Sequence, residues 1–257
     1  MIRVVVTVLV LLAAVGSATA QTPAAVEREI LKCLNEIARS GTYSGDYDET
    51  KNEQANERLK QTLVRNGDRL EILQYAFPKL KNEMSVVTSR DGRLRVYSWD
   101  LQTGGTMHDY ETVIQYQSKS GAVHTWTGDD TQDESAGAFT TQIFQLGSSI
   151  GPIYLANSTF IAQGNIHGQS IELIRINGEK LEWPKLIRTR SGLQNSIDFS
   201  YDPSSLGNRP ERIVFFDAAK QSFGFPVVVE DEEFGNGRVT NRFITYRFDG
   251  RHFVKTS

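Results

Sequence analysis

The chain has a single cysteine, Cys33, so no disulfide can form within it. Its 257 residues are enough to bury a stabilising core without staples. Charge of one sign is also scarce: 28 Lys and Arg stand against 31 Asp and Glu, a net charge of -3. That balance excludes a nucleic-acid binder working through a basic surface. Seven prolines and 21 glycines are too few, and too scattered, for a low-complexity or collagen-like chain. The four histidines (His108, His124, His167 and His252) include no pair at metal-ligand spacing, and no cysteine pair assists them. No cofactor is expected. After Val15 no apolar run approaches about 18 residues, so no transmembrane segment is expected beyond the N-terminus.

What is present begins with an export signal. Arg3 precedes the apolar run Val4 to Val15, and Ala18-Thr19-Ala20 has the A-x-A form of a cleavage site. Residues 1–20 are expected to be removed, leaving Gln21 as the first residue of a periplasmic or secreted protein. An uncleaved membrane anchor is the alternative. No lipobox cysteine ends the apolar run, so no lipoprotein is expected.

Residues 21–82 read as a helical segment. Thr22-Pro23 is a helix start, and Val26, Ile30, Cys33, Leu34 and Ile37 form one apolar stripe that Gly41 ends. Cys33 is thereby expected to be a buried, inert thiol. A second helix is expected from Glu49 to Asn66 with the thin stripe Ala55, Leu59 and Leu63, and a third around 69–75. Such stripes cannot hold helices alone, so they are expected to dock on the remainder.

Residues 83–257 read as an antiparallel β domain, one compact unit with the helices. Strands are expected at 84–89, 93–100, 110–117, 122–127, 139–146, 152–162, 170–176, 180–187, 196–202, 212–217, 223–229, 239–248 and 251–255. Turn dipeptides such as Asp91-Gly92, Asn177-Gly178 and Asp249-Gly250 separate them. Short links favour antiparallel pairing, and the absence of a βαβ rhythm argues against α/β folds. The fold class is therefore mainly β (α+β): a long meander folded as a sandwich, barrel or curled sheet, with the helices packed on it. Trp99-Asp100 does not repeat at about 40 residues, so the propeller reading is weak.

Three segments, DGRLRVYSWDLQTGGTMHD at 91–109, SIDFSYD at 196–202 and RVTNRFITYRFDGRHFV at 238–254, resemble a group of uncharacterised exported bacterial proteins, many of them from the Bacteroidetes. The resemblance covers most of the β region. It implies a bacterial source and an envelope or extracellular home, and it implies no activity, cofactor or catalytic residue.

Candidate sites each have a plain structural alternative. Gly147-Ser148-Ser149-Ile150-Gly151 matches the G-x-S-x-G of serine hydrolases, with Asp198, Asp202 or Asp217 and then His252 in the right order, but no helix is expected after Ser149. His108, in a glycine-bearing loop, could be flanked by Asp100 and Asp109 as acid/base groups; a polar surface turn is the alternative. Asp129, Thr131 and Asp133 offer alternate oxygen ligands for calcium, and Glu230 to Glu233 form a second acidic stretch; solvated loops are the alternative. Trp99, Trp126 and Trp183 could stack a sugar. The apolar neighbours of Trp99 favour core, whereas the polar turn after Trp126 makes it, with His108, the better ligand-binding candidate.

The resulting expectation is an exported, non-enzymatic protein that binds a ligand or an envelope partner. A hydrolase of an envelope or extracellular polymer and a structural subunit of an exported assembly are the alternatives.

Overall fold

Thr22 accepts a hydrogen bond from the Ala25 amide at 3.3 Å and Pro23 occupies the first turn, which fixes the start of α1 (Pro23–Ser40). The structure is a computed structural model that describes residues 21–105, 107–128, 137–162, 166–210 and 213–257. The expected leader at 1–20 and the calcium candidates Asp129, Thr131 and Asp133 lie outside the described residues. Asp48 caps α2 (Glu49–Arg65) by accepting from the Lys51 amide, and α3 (Leu70–Gln74) follows. All five stripe residues of α1, Cys33 included, are buried, as are Ala55, Leu59 and Leu63 of α2. No helix among the described residues is long and apolar enough to cross a membrane.

Fifteen strands among the described residues form three sheets. Sheet A is a meander of β1 (Ser85–Thr88), β2 (Leu94–Asp100), β3 (Tyr110–Gln117) and β4 (Val123–Trp126). Sheet B begins with β5 (Phe139–Leu146), β6 (Ile153–Ile161) and β7 (His167–Asn177), with β8 (Lys180–Glu182) hairpinned onto β7. The chain then leaves for sheet C with β9 (Ile187–Thr189) and β10 (Gly192–Gln194), and returns to sheet B with β11 (Ser196–Tyr201) beside β7. Sheet C is completed by β12 (Phe215–Asp217), β13 (Ser222–Val229), β14 (Arg238–Phe248) and β15 (Phe253–Lys255).

Three differences from the sequence reading have local causes. The strand expected at 180–187 is broken at Trp183-Pro184, because proline cannot donate to a ladder, and its halves join different sheets. β10 was not expected; it pairs with β9 through a turn in which Gly192 takes φ 117°. The pairing is not wholly antiparallel: β15 lies parallel to β9, which the long intervening chain permits.

Side-chain alternation builds successive cores. On β2, Tyr97 and Trp99 face the helices, while Leu94 and Val96 face sheet B with Ile114 and Tyr116. Sheet B meets them with Tyr154, Ala156 and Ile174. Its opposite face sends Leu155, Ile171 and Leu173 into the core shared with Phe223, Phe225, Tyr246 and Phe253 of sheet C. Burying each such side chain contributes about 1.5–3 kcal/mol.

Arg95 ties sheet A to the helical segment. It is 5% exposed and donates to Thr88 Oγ1 at 2.8 Å and to the Ile72 and Tyr75 carbonyls at 3.0 and 2.7 Å. Its guanidinium also lies over the rings of Phe77 and Tyr97. Replacing Arg95 with Leu leaves those carbonyls without their donor inside the fold, and is expected to cost about 3 kcal/mol in urea unfolding. A loss below about 1 kcal/mol would contradict this role.

Candidate functional site

Between sheets A and B the apolar packing stops partway along the strands and a cavity of about 520 Å³ opens. The register explains its lining. Residues at period two on one sheet face share its environment. Toward sheet A, the inner end of sheet B carries Tyr154, Ala156 and Ile174. One row across the strands reads Thr140, Ser158, Ser170 and Asp198. The neighbouring row includes Ala156, Glu172 and Ser196. The facing wall comes from Val96, Thr112, Ile114 and Trp126 of sheet A. Met107, Gly137, Ala138 and Phe160–Ala162 complete the lining. The volume lies in the range that small-molecule sites span, and the walls mix apolar side chains with a few polar groups.

Glu172 is the perturbed group. Burial raises its carboxyl from an ordinary 4.5 to about 6, the Asp198 charge adds to the rise, and a hydrogen bond with the Trp183 side chain opposes it. Trp183 in turn packs against Trp126, ring centroids 4.8 Å apart. Thr140 and Ser158 hydroxyls bond each other at 3.0 Å, which orders the polar row.

The loop 101–109 makes a second cluster beside this cavity. His108 Nδ1 lies 2.5 Å from Asp100 Oδ2 and 3.2 Å from the Tyr43 hydroxyl. The ring stacks near Tyr110 at 6.0 Å. Burial, and then the Asp100 charge, holds the Tyr43 and Tyr110 hydroxyls above the usual tyrosine range. Two backbone contacts position the loop: the His108 amide donates to the Ile161 carbonyl, and Thr42 pairs its amide with the Gln102 carbonyl. Gly41 is required there, since a Cβ would stand 2.5 Å from Cβ of Gln102. Met107 lines the cavity; His108 does not. Asp109 is turned to Thr103, whose hydroxyl donates to it at 3.0 Å.

The remaining candidates are dispersed. Trp99 is no ligand surface: it is 1% exposed and donates its indole N–H to Asn56 Oδ1 at 2.9 Å. Ser149 is exposed in a turn, and β6 rather than a helix follows it. Its proposed partners are elsewhere. Asp198 lines the cavity, Asp202 caps the 3-10 turn Pro203–Leu206, Asp217 accepts from the Lys220 amide, and His252 lies against Arg188 in sheet C. In the second acidic stretch Asp231 accepts from Arg238, whose hydrogen bond lowers its pKa. Among the described residues no group of three or more His, Cys, Asp or Glu could hold a metal ion.

Of the cavity residues, sequence reading reached Trp126 and named Asp198 for a different role; it noted Trp183, which packs behind Trp126, only as an aromatic. It missed Glu172 and the hydroxyl row. Their signal was polar side chains at alternate positions, Ser170 and Glu172, on either side of Ile171 in a strand of mixed character.

Because folding raises the Glu172 carboxyl pKa, the folded state favours its neutral form. The stability tied to that form is full below about 4.5 and is lost as pH rises through about 6. Glu172→Gln keeps an acceptor for Trp183 but cannot ionise. It is expected to be about 1–2 kcal/mol more stable than the parent at pH 8 and equal to it at pH 4, measured by urea unfolding at both pH values. An equal gain at both pH values would assign the effect to shape rather than charge.

No model of a known protein family, no curated protein and no solved structure matches this chain.

Proposed function

We propose that this chain is an exported, non-catalytic protein that binds a small organic ligand between sheets A and B. The observation that carries the reading is the row Thr140, Ser158, Ser170 and Asp198 along a partly open cavity between two sheets. A sheet face buried against another sheet would ordinarily be apolar, as it is at Tyr154, Ala156 and Ile174. Hydroxyls and carboxyls placed where the sheets part supply directional partners for a guest, and Trp126 supplies an apolar surface. Export rests on Arg3, the apolar run Val4 to Val15 and Ala18-Thr19-Ala20. A periplasmic or extracellular home of a bacterial cell is part of the proposal.

The hydrolase alternative keeps one observation in its favour, the close contact of His108 with Asp100. That pair can hold an imidazole in one tautomer for proton transfer. Against it, neither residue lines the cavity, so a guest seated there would not meet them.

The test is a thermal-shift panel of cationic, neutral and anionic small molecules on residues 21–257, run beside Ser170→Phe. The phenyl ring fills the cavity from a half-buried position on β7 without entering the core shared with sheet C. At least one class is expected to raise the parent midpoint by several degrees, and the variant is expected to fold and show no shift. A shift retained by Ser170→Phe, or no shift with any class, would contradict the reading.

A further inference from the structure

We propose that the ligand carries an ammonium group, held by Glu172 and Asp198 beside the face of Trp126. This inference rests on the cavity being the binding site.

Three observations lead to it. First, two carboxyls from adjacent strands line the same cavity, Glu172 half-buried and Asp198 exposed where it opens to solvent. Glu172 stands opposite Ser196 in the β7–β11 ladder, and Asp198 is two residues further on, at the diagonal position. Such diagonal neighbours lie about 7 Å apart. A single ammonium placed between them can donate to both. Second, among the described residues no Lys or Arg side chain lines the cavity to balance these carboxyls. Burying a carboxylate without a cation is costly, and a cationic guest removes that cost where a neutral guest does not. An anionic guest would add repulsion. Third, the aromatic pair is in place. The Trp183 side chain hydrogen-bonds Glu172 and packs on Trp126, which lines the cavity. An indole face beside a carboxylate attracts an ammonium by the ring quadrupole as well as by charge.

The remaining lining fits an amine with an organic body rather than a bare ion. Val96, Ile114 and Phe160 offer apolar surface, and Ser158 and Ser170 offer hydroxyls. A bare cation would leave a cavity of about 520 Å³ mostly unfilled.

The pH dependence follows from the groups facing Glu172. Asp198 on β11 is the charged neighbour that acts on it, Trp183 is its hydrogen-bond partner, and the sheet A side chains across the cavity (Val96, Thr112, Ile114 and Trp126) carry no charge. Amine affinity is therefore expected to fall as pH drops through about 6 and Glu172 takes up a proton.

The experiment is titration calorimetry of residues 21–257 with three probes of one shape: tyramine, its uncharged counterpart 4-ethylphenol, and the anion 3-(4-hydroxyphenyl)propanoate. Tyramine is expected to bind at least tenfold more tightly than 4-ethylphenol at pH 7.5, with the anion weakest. In Glu172→Gln the tyramine preference is expected to shrink to about threefold or less, with the variant's fold checked by its unfolding midpoint. Equal binding of tyramine and 4-ethylphenol, or an unchanged preference in Glu172→Gln, would overturn the ammonium assignment while leaving the cavity reading intact. No binding by any of the three would overturn the ammonium assignment and count against the cavity itself.

Discussion

Sheet B packs against sheet A through one face and against sheet C through the other, so its central strands β6 and β7 have little solvent-facing side. A strand in that position must place something acceptable on both faces at every residue. β6 does so for its first stretch, where Ile153 to Ser158 are all buried. Polar side chains are tolerated on such a sheet only where they bond one another or face a space. Thr140 and Ser158 do the first, Ser170 and Glu172 do the second, and Asp198 on β11 reaches solvent. The cavity is thus a consequence of where the apolar pairing of A and B ends, and its chemistry is set by which residues the register brings to that point.

The helical segment contributes indirectly. It covers the outer face of sheet A, where Trp99 bonds Asn56 and Arg95 bonds the Ile72 carbonyl in α3 and the Tyr75 carbonyl just after it. With one face of β2 fixed in this way, Val96 is held toward sheet B as cavity wall. The same contacts bring the loop after α1 to the loop after β2, which sets Tyr43 against His108 and Met107 at the cavity edge. The His108–Asp100 contact accordingly sits at a junction of two loops beside the site rather than within it.

Much of the fold was legible in the sequence because its causes are local. The stripe from Val26 to Ile37 needs only helical periodicity, and the hairpins need only their turn dipeptides. The partition into three sheets was not legible. Which sheet β9 or β11 joins depends on partners far along the chain, and Trp183-Pro184 redirects the strand without disclosing its destination. The site followed the same division. Trp126 could be found because a polar turn follows it, and His108 could be placed near Asp100 because only eight residues separate them. Glu172 looked like one polar residue in an ordinary strand. Its meaning came from Asp198 on a strand that arrives after an excursion into sheet C, and from Trp183 folded back beyond β8. Register and burial supplied what spacing could not.

A carboxyl that burial pushes to about 6 weakens the fold at neutral pH, which is what a site held ready for a charged guest would do. The most direct measurement is tryptophan emission during a tyramine titration, because the chain's three tryptophans divide cleanly. Trp99 is sealed under the helices, whereas Trp126 lines the cavity and Trp183 packs on it. The account predicts a saturable emission change that persists in Trp99→Phe and is largely lost in Trp126→Phe. A saturable change that survives Trp126→Phe intact, or the absence of any change, would contradict it.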